Sequence, residues 1–130
     1  ELPAPERNEI RRFIRRFPKI ADDSGITDTQ WKHILGTMEG LSYSDIKDIV
    51  QNMLKKAVLH QKKEIGILDY VMEVFLFKNH GNYAQKDMIQ YLSDHGVTQK
   101  VIGDHFGISE RQVRNYLGKG VRNYGETASN

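Results

Sequence analysis

The chain has 130 residues, of which 38% are hydrophobic and 28% charged, with a formal net charge of +2 and no cysteine. That length suits one compact domain or two very small ones, and no apolar run approaches the roughly 18–20 residues of a membrane span. Without cysteine there are no disulfides, thiolate zinc sites or cysteine nucleophiles. The charged, proline-bearing start does not read as a secretory signal, so a cytoplasmic protein is expected. The first residue is Glu1 rather than Met, which suggests a piece of a longer protein.

The modest net charge is unevenly spread. Arg7, Arg11, Arg12, Arg15, Arg16 and Lys19 face only Glu6 and Glu9 near the start. From residue 111 onward, Arg111, Arg114, Lys119 and Arg122 face only Glu126.

Helical spacing dominates. A first helix is predicted over 5–17, with Pro5 in its first turn, Ile10, Phe13, Ile14 and Phe17 on one face, and Pro18 as its stop. Residues 21–25 read as a loop. Asp28 is the expected N-cap of a second helix bearing Trp31, Ile34, Leu35 and Met38 and ended by Gly40. Ser42 caps a third helix, with Asp45 completing a weak capping box and Ile46, Ile49, Val50, Met53, Leu54, Ala57 and Val58 as its apolar stripe. A fourth helix over 64–78 is apolar nearly all round and should be buried. Asn79-His80-Gly81-Asn82 breaks the pattern and marks a domain boundary, giving expected domains of 1–79 and 80–130. Three short helices follow, over 83–93, 99–106 and 110–117, with a frayed tail from Gly118.

Residues 98–116 carry what two short helices at a fixed angle require: caps, a tight turn and a small shared core. Thr98 can cap the first, with Val97 and Ile102 as a hydrophobic staple. Ser109 can cap the second, with Gln112 completing a capping box and Ile108 and Val113 as another staple. Gly107 sits where a left-handed residue is wanted, and Gly103 is small where the helices cross. Ile102, Phe106, Ile108, Val113 and Tyr116 are expected to pack together.

This stretch resembles the bacterial and phage helix-turn-helix family. Counting from Gln99, that family expects a small residue fifth, Gly ninth, an aliphatic tenth and Val or Ile fifteenth. Here these are Gly103, Gly107, Ile108 and Val113. The family more often has Ala where Gly103 stands, a departure that lowers helix propensity. The resemblance implies that the outward face of the second helix reads duplex DNA, with Ser109, Glu110, Arg111, Arg114 and Asn115 on that face. Arg can grip guanine and Asn adenine through paired hydrogen bonds. Thr98 and Gln99 are placed to meet a phosphate, and Lys119 and Arg122 to neutralise backbone charge.

Upstream, Leu2-Pro3-Ala4-Pro5-Glu6-Arg7 followed by Ile10 and Ile14, and then Gly40-Leu41-Ser42-Tyr43-Ser44-Asp45-Ile46, resemble the small helical lid of AAA+ ATPases. The likeness covers residues 2–76 and implies a four-helix lid, with Tyr43 and Ser44 near the nucleotide. Tyr43 either stacks on the base or covers the lid core. The family often has a Gly-Ala pair where Tyr43 and Ser44 stand. There is no G-x-x-x-x-G-K-[ST] phosphate loop and no strand ending in paired acids, so this stretch alone should not hydrolyse ATP. ATP and magnesium are expected of a parent protein, together with neighbouring ATPase subunits.

His33, His60, His80, His95 and His105 have no metal-ligand spacing and read as structural. The Arg11-Arg12-x-x-Arg15-Arg16 run reads as a solvated helix face, with DNA or a neighbouring subunit as the alternative. The expectation is thus an all-α chain: a four-helix AAA+ lid-like bundle followed by a three-helix helix-turn-helix module that binds DNA. The alternatives are a helical adaptor whose last module recruits a protein, and a stand-alone transcriptional repressor.

Overall fold

Capping residues, more than composition, decide where the helices begin. The structure, a computed structural model, describes residues 4–17 and 22–122, the last five of these by backbone alone. Among the described residues there are seven helices and no strand: α1 (Arg7–Arg15), α2 (Asp28–Thr37), α3 (Tyr43–Leu59), α4 (Ile67–Lys78), α5 (Gln85–Asp94), α6 (Gln99–Phe106) and α7 (Glu110–Arg122). The chain divides into two compact units, Glu1–Gly81 and Asn82–Asn130. The division falls in the segment expected to break the pattern, where His80 (φ +52°) and Gly81 (φ +82°) both turn left-handed.

In the first unit, α3 packs on α4, α4 on α2, and α1 on both α2 and α3. Ile10, Ile34, Met38, Ile46, Ile49, Val71 and Val74 are fully buried among them. The cap of α2 is Thr27 rather than Asp28. Its hydroxyl accepts the Gln30 N–H at 3.1 Å, and Gln30 Oε1 accepts the Thr27 N–H at 2.9 Å. Asp28 is instead the first helical residue, where its charge suits the helix dipole. Ser42 and Asp45 exchange the same pair of bonds at the start of α3. Pro5 lies before the α1 cap, Glu6, and is buried. The fourth helix starts at Ile67, three residues later than expected, because Asp69 accepts the Gly66 N–H at 2.8 Å and fixes the N-terminus there. Residues 60–65 instead form a turn in which Asp22 bridges to the chain around Glu64.

Two expectations about side-chain exposure in the first unit also need correction. Leu54 and Val58 do not join the buried stripe of α3: Val58 and Leu59 are exposed and Leu54 is half-buried. The arginine run of α1 is not wholly solvated. Arg11 lies 5.1 Å from the Trp31 ring centroid and 3.6 Å from Asp28, with only 31% of its side chain exposed. Arg12, Arg15 and Arg16 are exposed. Among the described residues, one carboxylate is buried and reaches a lysine at the surface. Glu73 is buried, and its Oε1 accepts from Lys56 Nζ at 2.9 Å. Three residues earlier on α4, the Tyr70 ring tilts against Trp31 at 5.3 Å; burial, with Asp23 and Asp69 adding to it, pushes its hydroxyl far above the ordinary tyrosine range.

In the second unit, α7 packs on α5 and α6, and α5 on α6. The core is Met88, Ile89 and Leu92 of α5 with Val97, Ile102 and Val113. Tyr116, expected in this core, is 37% exposed, and Phe106 and Ile108 are half-buried. The α5 residues fill that space instead. The last helix also runs on to Arg122, through Gly118 and Gly120, where a frayed tail was expected.

Candidate nucleic-acid interface

The turn between α6 and α7 is only three residues long, and two glycines make it possible. Gly107 ends α6 at φ +71°, in the left-handed region that disfavours any Cβ. Its N–H returns to the Gly103 carbonyl, and so does the Ile108 N–H at 2.9 Å. Gly103 is the point of closest approach: a Cβ there would lie 2.6 Å from the Ile108 carbonyl oxygen. The departure from alanine at this position therefore has a local cause in this chain, since the backbone of the turn occupies the place of a methyl group.

Both helices start on side-chain caps. Thr98 Oγ1 accepts the Val101 N–H at 3.3 Å. Ser109 Oγ accepts the Gln112 N–H at 3.1 Å, and Gln112 Oε1 accepts the Ser109 N–H at 2.9 Å. These bonds fix the rotation of α7 about its axis together with Val113, which is fully buried. At about 100° per residue, Arg111, Arg114 and Asn115 fall within roughly one third of the helix circumference, on the side away from Val113. All three are exposed, as are Ser109 and Glu110.

Thr98 is exposed and Gln99 half-buried at the start of α6. Gln99 also meets the α7 face: its Oε1 accepts from Arg114 Nη1 at 3.3 Å. No reading of spacing signals this pair, since the two residues stand fifteen positions apart. Among the described residues, neither Arg111 nor Arg114 makes an ion pair with a carboxylate, and Lys100 is occupied by Asp104 at 3.2 Å on its own helix. Lys119 and Arg122 lie within α7, but their side chains fall outside the described residues. The face thus offers two guanidinium groups and one carboxamide, each capable of paired hydrogen bonds to flat polar edges, beside the exposed Glu110 carboxylate.

In the first unit, Tyr43 and Ser44 open α3 and are exposed. The Tyr43 ring meets Phe13 edge-on at 4.9 Å and so covers part of the α1–α3 packing. Among the described residues no group of three or more His, Asp or Glu side chains is arranged to hold a metal ion, and no helix is long and apolar enough to cross a membrane.

The fold defines an all-α protein of two helical units. Comparison with known family models, curated proteins and solved structures returns no match.

Proposed function

We propose that the second unit is a helix-turn-helix module that binds duplex DNA, with α7 entering the major groove. The observation that carries this reading is the α6–α7 corner. Gly103 and Gly107 let the chain reverse in three residues, and the buried Val113 then turns Arg111, Arg114 and Asn115 to solvent as one face. Exposed arginines that make no ion pair among the described residues supply attraction to phosphate, and their forked donors supply base reading. Thr98 and Gln99 at the α6 N-terminus add neutral donors for a phosphate, a site that a helix start favours.

The first unit is read as an AAA+ lid. Four helices in one unit, and the left-handed Gly40 (φ +86°) leading into the Ser42–Asp45 capping box, support that reading. The sequence contains no G-x-x-x-x-G-K-[ST] phosphate loop. Nucleotide and magnesium are accordingly assigned to a catalytic part of a parent protein, which would act with neighbouring subunits and couple their motion to DNA binding.

A protein-recruiting role for the second unit is the rival reading, favoured by one observation: from residue 82 on, six Lys and Arg stand against five Asp and Glu. Fluorescence titration of the chain against random and selected duplexes at two salt concentrations separates the two. DNA binding through phosphate contacts weakens steeply as salt rises. Absence of any salt-dependent binding supports the recruiting role.

A further inference from the structure

The two arginines of the α7 face are not equivalent. Arg114 donates through Nη1 to Gln99 Oε1 across the α6–α7 corner at 3.3 Å, whereas Arg111 is exposed and has no such support among the described residues. We propose that Gln99 is a positioning residue that holds Arg114 ready to read one guanine, so that sequence preference concentrates at Arg114 while Arg111 serves as an adaptable contact. This deepens the DNA-binding reading and rests on it.

The chemistry suits the task. A free arginine side chain samples many rotamers, and that freedom is lost when it docks on a base. Anchoring one guanidinium nitrogen beforehand removes part of that loss. The guanidinium has five N–H donors, so one bond to Gln99 leaves enough for a paired grip on the O6 and N7 atoms of guanine. The nature of the anchor also matters. A carboxylate at residue 99 would neutralise the charge that DNA binding needs, whereas a carboxamide orients the cation and leaves its charge intact. Gln99 is itself held: it is the first residue of α6, half-buried, beside the Thr98 cap.

The test uses the full chain and duplexes enriched from a randomised pool, with single-base variants of the winner. Gln99→Met keeps the length of the side chain and removes the acceptor. It is expected to reduce discrimination at one base pair by roughly tenfold while leaving the slope of affinity against salt unchanged. Arg114→Ala should erase preference at that same base pair, and the double variant should match Arg114→Ala alone. Gln99→Glu should also weaken binding, because the new charge competes with DNA for Arg114. In the free chain, the Arg114 guanidinium NMR signals should shift on Gln99→Met, a readout independent of DNA. Intact discrimination in Gln99→Met, or an effect that simply adds to Arg114→Ala, would overturn the proposal while leaving DNA binding standing. A wild-type chain that binds no duplex overturns both.

Discussion

Replacing Gly103 by alanine sets two physical effects against each other. In an open helix the change is favourable by about 1 kcal/mol, because glycine is the poorer helix former. In α6 the added methyl group falls 2.6 Å from the Ile108 carbonyl oxygen, and the atom it meets is backbone rather than a flexible side chain. Relief requires the turn to move outward, which strains the 2.9 Å bond from the Ile108 N–H to the Gly103 carbonyl. Forcing extra volume into a filled site costs roughly 1–3 kcal/mol, and weakening a hydrogen bond about 1 kcal/mol more. The clash therefore wins, with a net loss of about 1–3 kcal/mol after the propensity gain. Hydrogen exchange of the Ile108 amide reads this directly, because that amide is held by the bond under strain. Exchange through unfolding should accelerate about 5- to 150-fold in Gly103→Ala. Slower exchange would mean that helix propensity dominates and that the corner is looser than described.

Three further outcomes follow from the first unit. Lys56→Met leaves the buried Glu73 carboxylate without its partner and should cost about 1–3 kcal/mol in denaturant unfolding, whereas the double change Lys56→Met, Glu73→Leu should recover most of that loss. Thr27→Ala removes the cap of α2 and should cost about 1 kcal/mol, while Asp28→Ala should cost a few tenths, since it loses only the dipole interaction and a long, solvent-exposed pair with Arg11. The Tyr70 hydroxyl has a folded-state pKa raised above its unfolded value, so its contribution is intact below about pH 10 and lost as pH rises beyond it. Unfolding followed by the single tryptophan, Trp31, should therefore show a stability decline above that pH which Tyr70→Phe reduces.

The features legible in the sequence were local. The bounds of α6 and the Ser42–Asp45 and Ser109–Gln112 boxes depend on residues three positions apart, so the sequence displays donor and acceptor together. The expected α2 cap, Asp28, lies one residue late, although Thr27 and its partner Gln30 are both visible in the sequence; a box starting at Asp28 would need Trp31 to serve as its polar partner. What depends on helix–helix angles was hidden. The exposure of Tyr116 follows from α5 supplying Met88, Ile89 and Leu92 to the core, and the withdrawal of Arg11 follows from the placing of Trp31 beneath it. The Gln99–Arg114 bond belongs to the same class, since it exists only once the corner fixes the angle between α6 and α7. The persistence of α7 through Gly118 and Gly120 shows low propensity overridden in a helix already nucleated upstream.

Chemical-shift mapping of the isotopically labelled chain on addition of a duplex enriched from a random pool is the most direct trial of the DNA-binding face. The account expects the largest changes at Arg111, Arg114 and Asn115, with smaller ones at Thr98 and Gln99. Changes confined to the arginines of α1, or no change in α7 at saturating duplex, would contradict it.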